Sequence, residues 1–473
     1  MQKYRLYKYL KTPYSPRELW RMNRLGLYRT VANQAWVIPH PRSCVVITIA
    51  KIKRRQLSSK VACRQIRYYL TIKIYKPYRL ELIKETIGFF PNFYRYFFMD
   101  NPRDLADPDY LYYFLSVACQ DDLFKLNLSN EQLFLYLNNH INGICLLNNL
   151  GLLSDKLSIF NKILLNHQLH TVKLKTSSLG FSVFNIVSKE LSKNNSFCLL
   201  SANNKVSVIV TCYQAEQTIE ACLDSLIRQT WKNIQIIVVD DASTDGTVDM
   251  VRQMAKLDSR ILLITLPENV GTFVAKNIGA KYATGVFLTC HDSDDWAHPQ
   301  KIAEQVLPLI ENSHLMVTTS YWLKFDDGGL YYARQCYPFF RQNPASPMFR
   351  LRQVIADTGL WHMARTGADS EFWQRLKMIY GKDRICVIKK PLTLGSHRCG
   401  SLMNSSTYGV FNTNSALTRL DYWENWRLWH IEQINQGKFV KMPPIEQQIK
   451  QQSPFAVPKS IDVNRTIVRK CLL

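Results

Sequence analysis

The spacing of apolar residues changes character near residue 205. Upstream, Leu133, Leu137, Ile141, Ile144 and Cys145 recur at helical intervals, as do Leu157, Phe160 and Leu164 behind a cap at Ser154 or Asp155. These predict one helical hairpin, and Leu70, Ile72 and Ile74 predict a short strand. The polar stretches 193–196 and 201–204 mark a boundary. From Lys205, short β-branched runs at 206–210, 234–239, 261–265 and 286–290 read as buried strands. Between them, Ile219, Cys222, Leu223, Leu226 and Ile227 share one helical face, and 247–256 and 272–282 read as further helices. This alternation predicts parallel βαβ units. Ligands of such sheets sit beyond the carboxyl ends of the strands. Those ends carry Thr211-Cys-Tyr213, Asp240-Asp241 and His291-Asp-Ser-Asp-Asp295. Further on, Tyr422, Trp423, Trp426 and Trp429 predict an aromatic helix, and the polar tail after Gly437 a packing arm with loose ends.

Composition narrows the class. A chain of 473 residues, 47% hydrophobic and 12% aromatic, is neither disordered nor collagen-like, and its length suggests two or three domains. No run of about 18 apolar residues occurs, so no spanning helix is expected. The first ten residues lack the apolar core of a secretory signal. None of the 12 cysteines forms a Cys-x-x-Cys unit, which excludes a clustered structural zinc site and suggests a reduced, cytoplasmic chain. The net charge of +23 is uneven: residues 1–100 hold 21 Lys/Arg against 4 Asp/Glu, leaving only +6 for the rest. A basic, aromatic-rich region predicts contact with an anionic membrane surface. A solvated face without a dedicated partner is the bland alternative, and no specific nucleic acid is expected.

The chain has no Gly-x-Gly-x-x-Gly after its first strand and no Walker-type loop. Asp241-x-Ser243-x-Asp245-Gly246 begins like a calcium loop, but Arg252 stands where a bidentate Glu is needed. The strongest chemistry lies at Asp292-Ser293-Asp294-Asp295. Three carboxylates in four residues repel one another, and a hard divalent cation relieves that cost. A solvated acidic turn or a helix cap is the alternative.

Ordered blocks through 205–402 resemble the inverting nucleotide-sugar glycosyltransferases of family 2, the GT-A family that includes chondroitin, hyaluronan and cellulose synthases. They are Val206-Ser-Val-Ile-Val-Thr-Cys-Tyr213, Val239-Asp-Asp-Ala-Ser-Thr-Asp-Gly-Thr247, Glu268-Asn-Val-Gly-Thr-Phe-Val-Ala-Lys-Asn-Ile-Gly279, Asp292-Ser-Asp-Asp-Trp296, Gly367-Ala-Asp-Ser-Glu-Phe-Trp373 and His397-Arg-Cys-Gly-Ser-Leu402. The resemblance implies an α/β GT-A, Rossmann-like, mostly parallel sheet flanked by helices over 205–402. It leaves a basic, mainly helical region over 1–200 and a helical arm over 403–473.

The implied activity is metal-dependent, inverting transfer from a UDP-sugar to a glycan or lipid-linked acceptor in bacterial surface, or capsular, polysaccharide synthesis. A non-catalytic scaffold in a polysaccharide assembly complex is the alternative. The donor would be bound by Thr211, Tyr213, Asp240, Asp241, Lys276, Asp292, Ser293 and Asp295. Asp294 of the Asp-x-Asp motif and His397 would hold Mn²⁺ or Mg²⁺. Asp369 would be the catalytic base, with Glu371, Trp373 and Arg398 as acceptor contacts. In a helix Asp369 and Glu371 point to different faces, so only one of them faces the donor. Asp245-Gly246-Thr247 reads as a structural cap. Thr211-Cys-Tyr-Gln214 and His291 depart from the family pattern, and the Gln-x-x-Arg-Trp block of processive synthases is missing. A peripheral enzyme on the inner face of the cytoplasmic membrane fits this set.

Overall fold

The structure is a computed structural model that describes residues 15–34, 40–138, 140–153, 155–188, 198–333, 336–398, 409 and 412–472. Ser154, the stretch 193–196 and the end of the 397–402 block lie outside these residues.

The N-terminal region is helical. Ser58 caps the helix Ser59–Thr71 by accepting from the Val61 amide, and Ala62, Ile66, Tyr69 and Leu70 form its buried stripe. The strand expected at Leu70–Ile74 is therefore absent. Leu70 completes a helical stripe, while Ile72 and Ile74 enter a 3-10 turn, Lys73–Tyr78, that buries nothing. The expected hairpin is three helices: Asn130–Leu137, Ile141–Asn149 and Lys156–Asn166. Gly143 of the second helix lies against the Leu137 carbonyl that ends the first, where a Cβ would sit 2.2 Å away, so only glycine allows this close approach. Asp155 supplies the expected cap, accepting from the Ser158 amide at 3.0 Å. A small antiparallel ribbon follows, β1 (Val172–Leu174) with β2 (Ile186–Ser188).

The main sheet contains β3 (Val206–Cys212), β4 (Ile234–Asp240), β5 (Ile261–Thr265), β6 (Phe287–Asp292), β7 (Asp295–Ala297), β8 (Val317–Phe325), β9 (Arg341–Gln342), β10 (Met348–Arg350) and β11 (Ile385–Ser396). Its order is β5-β4-β3-β6-β10-β8-β11-β7, with β9 on β8. Helices Ile219–Ile227, Thr247–Leu257 and Thr272–Lys281 connect the first four strands, close to their expected limits. β5, β4, β3 and β6 run parallel, and β4, β3 and β6 are buried on both faces as their apolar runs predict, while the edge strand β5 is partly exposed. The second half adds short antiparallel pairings to this mostly parallel sheet: β10 is antiparallel to both β6 and β8, and β7 to β11, while β8 and β11 pair in parallel. The sheet is mixed. Register aligns Thr211 with Val239 and Asp292, and Cys212 with Asp240, so the polar ends of three strands meet along one edge.

The flanking regions are packed into this sheet. Residues from Cys44 to Ile186 share one apolar core with Trp296, Leu323, Phe325, Leu392 and Leu394 of β7, β8 and β11. The aromatic helix spans Thr413–Asn435, burying Tyr422, Trp426 and Trp429. The tail after Gly437 also packs, through Val440, Met442, Ile445 and Ile449. The buried carboxylate of Glu424 accepts from the amides of Arg29 (2.7 Å) and Thr30 (2.9 Å), tying the C-terminal helix to the N-terminal region.

Candidate active site

At the ends of β3 and β4, backbone satisfaction decides which side chains stay available. Thr211 Oγ1 shares a 2.7 Å hydrogen bond with Thr272 Oγ1 at the start of the next helix. Tyr213, just past β3, is 53% exposed, an aromatic face open at the strand ends. Asp240 is buried and accepts from the Ser243 amide at 3.0 Å, which shapes its own loop. Asp241 accepts from the amides of Val270 (2.7 Å) and Gly271 (2.8 Å), one on each oxygen. Burial raises its pKa, and those two amides and Arg365 oppose the rise. Asp241 thus anchors the turn whose left-handed Gly271 (φ 88°) starts the helix carrying Lys276. Asp240 and Asp241, both expected at the donor, therefore brace loops. Asp245 behaves as the expected cap, accepting from the Thr247 amide and hydroxyl.

Lys276 is the electrostatic centre. Its side chain is 3% exposed, and Nζ lies 3.4 Å from Asp292 Oδ1. Burial disfavours the ammonium, but Asp292, Cys290 and Asp369 together raise its pKa, so it stays charged. Lys276 therefore sits in the fields of both Asp292, from β6, and Asp369, from the helix Ala368–Tyr380. Asp369 occupies the first turn of that helix after left-handed Gly367 (φ 84°), and its Oδ1 accepts from the Ser370 amide at 2.7 Å.

The acidic turn divides its labour. Asp292 is lowered in pKa: burial opposes this, and Lys276 and Lys324 outweigh it. Asp294 is raised by burial and by Asp292, with Lys324 and Arg398 pulling the other way. Asp295 is buried and raised well above the usual carboxylate range by burial and its two neighbours. Arg398 Nε lies 3.9 Å from Asp294 Oδ2. Protein cations thus outweigh burial and the repulsion read from sequence at Asp292, and not at Asp294 or Asp295. His291, beneath the turn, is pushed down to about 3 by burial and by Lys301, so it is neutral, with Nε2 3.1 Å from the Asp295 carbonyl. Ser293 lies in the turn between Asp292 and Asp294.

Other expected residues are placed elsewhere. Glu371 is not an acceptor contact: it is wholly buried, bidentate to Arg375 (2.8 Å on each oxygen) and bonded to His430 Nε2 at 2.9 Å. Burial opposes its ionisation, yet Arg375 and His430 hold its pKa down to about 2. Trp373 is largely buried but lines a cleft of about 230 Å³ with Gln342, Pro344, Ser370, Gln374, Lys377 and Trp423. His397 stacks on Tyr332, ring centroids 3.6 Å apart, and burial and Lys324 lower its pKa. Sequence reasoning missed Lys324 and Trp423. Lys324 lies on β8 opposite Gly395, with Nζ 4.3 Å from the Trp322 ring centroid, and no local motif flags it.

Among the described residues, no three His, Cys, Asp or Glu side chains form a metal-binding group. Asp292 and Asp294 nevertheless keep partly exposed carboxylates, 36% and 26%. Mg²⁺ and Mn²⁺ suit such hard oxygen donors, and Mg²⁺ is commonly held by one or two carboxylates with substrate phosphates completing its shell. The donor set fits an ion bound in that way.

A parallel half-sheet with acidic strand ends places a ligand site along that edge of an α/β domain. Residues 207–369 match the profile of Glycosyl transferase family 2, and the chain carries a family 2 glycosyltransferase domain. Glycosyltransferase GlyA of Streptococcus pneumoniae is 35% identical over 130 residues, covering 28% of this chain and 18% of that protein. TuaG of Bacillus subtilis, provisionally named a teichuronic acid biosynthesis glycosyltransferase, is 38% identical over 123 residues, covering 26% and 49%. The chain thus spans less than half the length of either relative. The structure of Staphylococcus aureus TarS 1–349 with UDP-GlcNAc aligns with TM-score 0.38 and 20% identity over 46% of this chain and 66% of that one.

Proposed function

We propose that the protein moves a sugar, with inversion, from a UDP-sugar to a glycan or lipid-linked acceptor in surface polysaccharide synthesis, of which capsule is one form. The observation that carries this reading is that Asp292 and Asp369 act on one buried ammonium, Lys276, at the strand ends where Tyr213 is exposed. Tyr213 would stack on the uracil, and Asp292 with Ser293 would hold the ribose. Asp240 and Asp241 would set the loops around the base, and Lys276 would keep Asp292 ionised. The acceptor hydroxyl attacks the anomeric carbon, Asp369 takes its proton, and the bond to the diphosphate breaks with its electron pair leaving on UDP. Mn²⁺ or Mg²⁺ held by Asp294, with Asp292 and His397 at hand, would supply positive charge at the departing diphosphate. Arg398 and Lys324 add protein charge on the same side. The acceptor would lie along Trp373 and its cleft. The basic N-terminal region would place the enzyme on an anionic membrane surface, where a lipid-linked acceptor resides.

The test is transfer by purified protein from a panel of UDP-sugars with Mn²⁺. Asp369→Asn should cut turnover by roughly 10²–10⁴-fold while UDP binding persists. Asp294→Ala should remove the Mn²⁺-dependent part of UDP binding measured by calorimetry. Transfer undiminished in Asp369→Asn, or UDP binding indifferent to Mn²⁺ and to residue 294, would overturn these roles.

A further inference from the structure

Between Leu19 and Leu80 the chain holds 14 Lys/Arg and no Asp or Glu. Part of that charge is used internally: Lys53 pairs with Glu85, and Arg54 with Asp421. The part on helix Ser59–Thr71 and the turn after it is not. That helix buries only Ala62, Ile66, Tyr69 and Leu70. Its outer face carries Lys60, Arg64 and Arg67, and the 3-10 turn adds Lys73 and Lys76. All five are exposed, and the single ion pair among them is Arg67 with Asp100 at 4.0 Å, both ends more than half exposed. Interleaved with these cations are apolar side chains that the fold leaves outside: Val61 (41%), Tyr68 (53%), Ile72 (40%) and Ile74 (60%). Val61, Tyr68 and Ile72 are spaced seven and four residues apart, so they follow one helical stripe. Tyr68 stands edge-on to Tyr75, with ring centroids 5.7 Å apart.

We propose that this face, helix Ser59–Thr71 with the turn Lys73–Tyr78, is the protein's docking surface for an anionic lipid bilayer. Ile72, Ile74, Val61 and Tyr68 enter the headgroup boundary while Lys60, Arg64, Arg67, Lys73 and Lys76 meet the lipid phosphates. Charge alone would suit any polyanion. The aliphatic side chains decide among them, because a nucleic acid or acidic glycan gives Ile72 and Ile74 nothing to bury against, whereas an interfacial helix needs apolar and cationic residues together. The proposal deepens the membrane placement suggested above, and it does not depend on glycosyl transfer.

The test uses the full chain and co-sedimentation with vesicles of phosphatidylcholine alone or mixed with phosphatidylglycerol. The parent should bind the mixed vesicles and not the neutral ones. Lys73→Glu/Lys76→Glu should weaken binding by roughly 30-fold or more, from about tenfold per 1.4 kcal/mol and about 1 kcal/mol for each cation. Ile72→Ser/Ile74→Ser should weaken it comparably, yet leave retention on heparin unchanged. Phe124→Ser, at an equally exposed apolar site on another helix, should change nothing. UDP binding in solution should be the same in every variant, which separates failure of docking from failure of the catalytic reading. Equal binding to neutral vesicles, or full binding by the Ile72→Ser/Ile74→Ser variant, would overturn the proposal and leave a generic polyanion surface.

Discussion

Replacing Arg375 by Leu should destabilise the protein more than substituting Asp292 or Asp294 in the partly exposed acidic turn. All five guanidinium N–H groups of Arg375 are engaged: two on Glu371, and the others on the carbonyls of Thr358, Gly359 and Leu360. Arg375, Glu371 and His430 are fully buried. Leucine would leave the Glu371 carboxylate in the interior with His430 alone, and breaking such a pair costs about 3–5 kcal/mol. An independent route gives a similar figure. Glu371 is held down to about 2 from 4.5, and at about 1.4 kcal/mol per pKa unit this corresponds to roughly 3 kcal/mol. Because the folded pKa is depressed, that stability is present above the unfolded value of 4.5 and is lost as pH falls toward 2. At roughly 2 °C per kcal/mol, typical of a large domain, Arg375→Leu should lower Tm by about 6–10 °C at neutral pH. Glu371→Gln should flatten the fall in stability between about pH 4.5 and 2. Differential scanning fluorimetry across pH reads both. An Arg375→Leu protein melting within about 2 °C of the parent would refute the reasoning. So would a Glu371→Ala variant with unchanged Tm and only a raised acceptor KM, which would return Glu371 to the acceptor.

Two further outcomes are expected. Tyr213→Ala should weaken UDP binding by roughly tenfold, since stacking on a base is worth about 1–3 kcal/mol, whereas Tyr213→Phe should keep it; titration calorimetry distinguishes them, and an unaffected alanine variant would remove Tyr213 from the nucleobase. Trp423→Ala should raise acceptor KM without changing donor hydrolysis, because its ring lines the cleft beside Ser370 and Trp373; a fall in kcat alone would count against an acceptor contact.

The first half of the sheet was legible because β3, β4 and β6 are buried on both faces, so the sequence shows unbroken apolar runs bounded by polar strand ends. The second half was not. β8 mixes Thr, Ser and Lys with apolar residues, and β11 contains Lys389, Lys390 and Pro391, with register shifts around Pro391. Both strands are recognised by their neighbours rather than by their own pattern. The N-terminal strand expected at residues 70–74 fails for the opposite reason. Its alternating isoleucines are real, but they lie past the end of a helix and point outward. At the site, the acidic turn could be found from its spacing and Asp369 from the family resemblance, whereas Lys324 answers the turn across 32 residues of sequence and a strand crossing. Glu371 carried a usable signal, since Arg375 four residues on is the spacing of a helical ion pair.

The regions outside the family match converge on the helix that carries Asp369. Tyr422 of the C-terminal helix packs 3.3 Å from where a Cβ on Gly367 would stand, so the left-handed turn before Asp369 is both required by backbone and closed by a side chain. His430 of the same helix completes the Glu371–Arg375 pair. Two residues from Tyr422, Glu424 is fully buried and depends on the amides of Arg29 and Thr30 and on the Thr30 hydroxyl for its hydrogen bonds. Removing residues 1–60 would strip Glu424 of these partners and uncover Ile431, which packs with Leu19, Met22 and Val46, a loss that reaches the Asp369 helix through Tyr422. Such a truncation cannot separate membrane docking from catalysis, because both would fall together. Surface substitutions at Ile72, Ile74, Lys73 and Lys76 leave that brace intact, and they are the perturbation that assigns the N-terminal region its own role.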